Sequence, residues 1–324
     1  MILTEDKNYT MSLEVEDRES ATGLIGKNIE MEFSARELLH AVITCGIPVQ
    51  RMTTAYFSKK KLELIYKLFL VETALDTEGD RLKKARRIAY LDSSEKSVMS
   101  YYMGMFLTKL ISRRLYGVDY LTHLNLIQSM DGNGFVDFFN SEWRQDMIGF
   151  QPDKKSWSVW EAKGGSNRRE QALKKGCQQA AAIESVNGLA PDPGAVCMTY
   201  YDHSFLCGVI RQPENSQAKN RERVCFTEEA FFRAYYKPIC EMFMEQGTRL
   251  HFHGKNAEIS LSVPCFPEKE QEEEERRIHV GMSQKLLLCL MENDYSRLAA
   301  EREALTKCVC PEGAFWGGDG IYIR

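Results

Sequence analysis

No CxxC pair occurs among the ten cysteines of this 324-residue chain. Cys289, Cys308 and Cys310 lack the paired ligand spacing of a zinc site. Long apolar runs are missing too. The longest, 286–291, is far short of the ~20 residues that cross a bilayer, so no membrane is expected. The start, MILTEDKNYT, turns polar after three residues, unlike a secretory leader. Scattered cysteines without an export signal point to a reducing, cytoplasmic setting. Neither a Walker A nor a GxGxxG motif is present, so ATP hydrolysis is not expected. Glycine (22) and proline (9) are scarce, and 44% of residues are hydrophobic, which excludes a disordered or collagen-like chain. Positive charge is not in surplus: 42 Lys/Arg face 46 Asp/Glu, a net of −4. A globally basic nucleic-acid coat is thereby excluded. A nucleic-acid enzyme is not, because it needs positive charge only where phosphates lie.

The pattern that is present alternates helical and strand periods. Apolar spacing predicts helices over 33–45 and 54–74. The run RLKKARR at 81–87 packs five basic residues into seven and reads as a solvated helix face or a phosphate contact. A helix over 98–116 ends at Gly117, and an alternating apolar stretch covers 120–128. A turn at Asp131–Gly134 follows. Strands are predicted at 144–151 and 156–163 around the turn Pro152–Lys155. A helix over 167–186 and strands at 195–201 and 205–211 complete an α/β core with a central mixed sheet. Beyond it lie a polar stretch at 213–223, a helix at 227–245, strands at 249–253 and 257–263, a charged run at 268–277 and a leucine-bearing helix to 305. The expected organisation is a mainly helical N-terminal region (1–96), a core (97–212) and a C-terminal α+β region (213–324).

Chemistry concentrates in RQDMIGFQPDKKSWSVWEAKGG, residues 144–165. On a strand, residues two apart share a face, so Glu161 and Lys163 project together. A carboxylate and an ammonium on an apolar strand cost desolvation, which implies a partner such as a metal ion. A four-residue turn at 152–155 sets Gln151 opposite Ser156, and counting outwards sets Asp146 opposite Glu161. Directly opposed side chains have Cβ atoms ~4.5–5.5 Å apart. Asp153 sits in the turn, roughly 16 Å from Glu161 at ~3.3 Å per residue, and is excluded. Residues 144–187 hold eight Lys/Arg and five Asp/Glu, a local positive surplus suited to phosphate. Gly164–Asn167 lead into a helix carrying Arg168, Arg169, Lys174 and Lys175, whose start could meet phosphate. His251 and His253 share a strand face but have no third ligand nearby. Ser204 beside His203 lacks a nucleophile elbow.

Asp146, a hairpin, then Glu161-Ala162-Lys163 and a following helix resemble the PD-(D/E)xK nuclease superfamily, with its restriction-endonuclease-like fold. The resemblance covers about a third of the chain, and Gln145 stands where the family name has proline. It implies an Mg²⁺ (or Mn²⁺) ion held by Asp146, Glu161 and the backbone carbonyl of Ala162, since hard oxygen ligands suit these ions. It implies Lys163 as the group that orients or deprotonates the attacking water, or stabilises developing charge. In a RecB-like subset a helical glutamine joins the site. Gln178, fifteen residues past Lys163, is the expected one, with Gln171 and Gln179 nearby and Gly176 allowing close helix approach. No acid lies within the first core helix; Glu95, just before it, is the nearest. The implied activity is metal-dependent endonucleolytic cleavage of DNA, as an anti-phage defence or restriction effector. Uncontrolled cleavage would damage the host, so a partner protein or a homo-oligomer is expected to regulate it. The competing expectations are a non-catalytic nucleic-acid-binding or assembly subunit and an RNA-directed nuclease.

Overall fold

The computed structural model describes residues 2–4, 6–16, 27–46, 59–130, 146–213, 222–245, 247–263, 276–307 and 309–324. The turn at 131–134, most of the 213–223 stretch and most of the charged run at 268–277 lie outside these residues.

The chain opens with strands β1 (Asn8–Glu16) and β2 (Lys27–Ser34), then helices α1 (Ala35–Thr44) and α2 (Lys60–Ala74). A short hairpin follows, β3 (Leu75–Glu78) and β4 (Arg81–Lys84), and then the long helix α3 (Ser93–Tyr116). Next come β5 (Tyr120–His123), α4 (Leu124–Met130), β6 (Met147–Gln151), β7 (Ser156–Gly164), α5 (Glu170–Ala181) and β8 (Ile183–Val186). After them lie β9 (Gly194–Asp202), β10 (Phe205–Arg211), β11 (Glu222–Val224), α6 (Glu228–Met244), β12 (Leu250–His253) and β13 (Asn256–Val263). β14 (Arg276–Ser283), α7 (Gln284–Met291), α8 (Tyr295–Thr306), β15 (Phe315–Trp316) and β16 (Ile321–Ile323) end the described chain.

A mixed nine-stranded sheet dominates, in the order β2-β1-β4-β10-β9-β7-β6-β5 with β3 on β4. β5, β6 and β7 form an antiparallel meander, and β9 joins β7 in parallel. That parallel crossover is made through α5, and helices cover the sheet, so the molecule is α/β. A second sheet, β12-β13-β14-β16-β15, packs its apolar face toward the same continuous core.

Several elements depart from the sequence expectation. The N-terminal region carries strands beside its helices: β1, β2 and β4 join the central sheet. Tyr9, Met11, Leu13 and Val15 alternate with polar residues along β1 and are all buried. The helix expected over 33–45 starts at Ala35, where Ser34 and Glu37 form a capping box. Residues 81–84 form a strand, because the turn at Gly79-Asp80 folds them back on β3 with Leu82 inward. The 120–128 stretch divides into β5 and α4, and the C-terminal leucines divide between α7 and α8, with Asp294 capping the latter.

Candidate active site

The β6–β7 ladder pairs Gln151 with Ser156, Phe150 with Trp157 and Met147 with Trp160. One step further, at the open end, Asp146 meets Glu161. The Asp146 amide donates to Glu161 Oε2 at 3.2 Å, and the Ala162 amide donates to Asp146 Oδ2 at 3.0 Å. Glu161 is 1% exposed, while Asp146 is half-buried. Lys163 lies on the same strand face, and its Nζ donates to Glu161 Oε1 and to Gln179 Oε1, the latter at 3.0 Å.

Burial pushes the Glu161 carboxyl up to about 8, and the neighbouring Asp146 charge adds to it; Lys163 pulls the other way and loses. Burial likewise raises Asp146, against the pull of Lys163. Two acids this close retain a proton between them, because both cannot ionise in a desolvated site. That proton stands where a cation would relieve the same repulsion.

Among the described residues, no three His, Cys, Asp or Glu side chains converge as a metal site. The donor set is therefore two carboxylates and the Ala162 carbonyl. An extended residue sends its N–H and C=O from the same strand edge, so the Ala162 carbonyl leaves on the side of Asp146. This oxygen set fits Mg²⁺ or Mn²⁺, which keep several waters of their own.

Two helices pin the strand that carries Glu161 and Lys163. α5 lies against β7 and β9 at Gly176, where a Cβ would come within 2.5 Å of Val196 Cγ2. α3 crosses β7 at Gly164, where a Cβ would stand 1.7 Å from the Ser100 carbonyl oxygen. Gly164 thus serves helix packing, and the Gly165 amide is spent on the Thr199 carbonyl at 3.0 Å, so Gly165 does not offer its amide to phosphate.

The helical glutamine is corrected. Gln178 is exposed and turned away, and Gln179 is buried and reaches Lys163. The helix begins at Glu170 rather than 167. The signal available in the sequence was Leu173, Gly176, Cys177 and Ala180, an inner stripe that Gln179 continues and Gln178 does not.

The basic residues placed along the substrate path separate. Arg168 binds Glu14 and Glu16 on β1, the latter at 2.6 Å. Arg211 bridges Glu16 to Glu170, completing a five-residue ion network. Burial raises the Glu16 pKa, but Arg211 and Arg168 outweigh it and hold the carboxyl low. Arg169, Lys174 and Lys175 are exposed on the start and outer side of α5. Asp153 lies in the tight turn 152–155, away from the acid pair. The chain matches no protein-family model, no curated protein and no solved structure.

Proposed function

We propose that the protein is a metal-dependent nuclease with a restriction-endonuclease-like core, hydrolysing phosphodiester bonds in DNA. The observation that carries this reading is the register of one hairpin. It sets Asp146 against Glu161, with Lys163 on the same face and the Ala162 carbonyl beside them. With the short α4 and β8 set aside, the helix-strand-strand-strand-helix-strand order from α3 to β9 supports the same core.

In this reading Asp146, Glu161 and the Ala162 carbonyl would hold a divalent ion, which would supply Lewis-acid activation of water and neutralise phosphate charge. Lys163 is held at the site by Glu161 and Gln179 and places its ammonium where a nucleophilic water or a phosphate oxygen would lie. Gln179 orients Lys163 and is a positioning residue. Burial of Glu161 keeps the site dry, so these charges act more strongly than in water. A role in anti-phage defence or restriction, under the control of a partner protein or an oligomer, is the biological setting we attach to this activity.

Plasmid, linear and single-stranded DNA incubated with the purified protein and Mg²⁺, Mn²⁺ or EDTA test it. Cleavage should require metal. Asp146→Ala or Glu161→Ala should abolish it, Lys163→Ala should slow it by orders of magnitude, and Asp153→Ala should leave it intact. Full Mg²⁺-dependent cleavage by Asp146→Ala would overturn the assignment. Binding of DNA without cleavage under every condition would favour a binding subunit.

A further inference from the structure

α2 and α3 present aromatic rings to solvent. Tyr66 on α2 is 50% exposed and Tyr101 on α3 is 42% exposed. Both stand edge-to-face on Tyr102, with ring centroids 5.9 and 5.5 Å away. Tyr102 in turn rests on the fully buried Phe106, at 5.8 Å, so the strip is anchored in the core. Leu62 and Val98, one turn back on their helices, extend it and are also exposed. A monomeric soluble protein leaves such a contiguous patch uncovered where something binds.

The strip leads into the candidate active site. α3 crosses β7 with Ser100 and Gly104 packed against Lys163 and Gly164, and Tyr101 follows Ser100 directly. Asp146 and Glu161 both lie within electrostatic reach of the Tyr101 hydroxyl.

We infer that Tyr66 and Tyr101 form a base-stacking platform that feeds single-stranded DNA to Asp146 and Glu161. This rests on the nuclease reading and narrows its substrate. Bases in a duplex are stacked on one another and hidden, so exposed rings reach only unpaired bases.

The test is fluorescence anisotropy of a labelled 20-nucleotide strand and of the blunt duplex of the same sequence, in EDTA so that no cleavage occurs. The wild type should prefer the single strand. Tyr66→Ala and Tyr101→Ala should each weaken single-strand binding by roughly 5–150-fold, the range for one lost base stack, and change duplex binding little. Tyr66→Trp and Tyr101→Trp should retain binding. Melting curves matching wild type confirm that the alanine variants are folded, as exposure of both rings predicts. Equal affinity of the alanine variants for the single strand, or a change in oligomeric state in place of affinity, would overturn the platform. Cleavage in Mg²⁺ is scored separately: a nuclease with unaltered alanine variants keeps its catalytic assignment and loses the platform, whereas stacking without cleavage keeps the platform and loses the nuclease.

Discussion

Glu161 sets the pH behaviour of the site. Its folded pKa of about 8 exceeds the ordinary 4.5, so folding takes up a proton between those values. Stability from the protonated carboxyl is full below pH 4.5 and is lost as pH rises through about 8. One such proton gives a slope of up to about 1.4 kcal/mol per pH unit. Asp146, also raised, acts with the same sign. Glu161→Gln keeps the shape and removes the titration. In EDTA its melting temperature should overtake the wild type by a margin that widens from about pH 5 to 8. Parallel curves for the two proteins would show that Glu161 is not desolvated. At this scale the sequence was legible where geometry left no freedom: a tight turn counts Asp146 onto Glu161. For the glutamine, spacing from Lys163 points to Gln178, whereas the apolar stripe Leu173, Gly176, Cys177 and Ala180 turns Gln179 inward.

Among the elements, the crossing of α3 over β7 controls how well the site is held. Gly164→Ala would drive a methyl into the Ser100 carbonyl and push the helix off the strand that bears Glu161 and Lys163. Overpacking of a core typically costs about 1–3 kcal/mol, and a backbone clash belongs at or above the top of that range. Gly165→Ala, whose nearest contact would be 3.1 Å from the Asn167 oxygen, should be milder. Thermal unfolding of the two variants decides it; equal melting temperatures would mean that α3 adjusts freely. The helix-strand alternation of the core was readable from periodicity. The Gly164-Gly165 pair was not, since a glycine required by helix packing and one required by a phosphate loop look alike in sequence. Strand β4 was obscured by composition: five basic residues in 81–87 mask a two-residue turn and one buried leucine.

Over the whole molecule, distant parts of the chain close one core. Asp319, fully buried, accepts from Tyr235, faces His40 Nε2 at 3.0 Å and is tied through Tyr235 to Lys109 Nζ, 3.1 Å from the Tyr235 hydroxyl. This joins the turn before β16 to α1, α3 and α6. Burial alone would raise the Asp319 carboxyl, but His40 and Lys109 outweigh it and lower it to about 2. Its contribution to stability is therefore present above about pH 4 and lost as pH falls toward 2. Asp319→Asn should cost about 3–5 kcal/mol, the usual effect of breaking a buried charge pair. Denaturant melts at pH 7 and pH 3 should show the difference shrinking in acid, and a constant difference would contradict the pairing. None of this network was visible in the sequence, where its members lie up to 279 residues apart. The strands of the N-terminal region were visible, in the alternation of β1, but their membership of the central sheet follows only from a long-range partner.

That partner gives β1 a history. Ser12 of β1 pairs with Cys207 of β10, which a ribosome adding ~5–20 residues per second makes roughly 10–40 s later. β2 covers one edge of β1 almost at once, Thr10 on the other edge meets Arg81 of β4 soon after, and the rest of that edge, Ser12 to Glu16, waits through the interval. Ser12, Glu14 and Glu16, spaced along the waiting stretch, are then its guards against pairing with another nascent copy, before Glu14 and Glu16 take up Arg168 and Arg211 in the finished molecule.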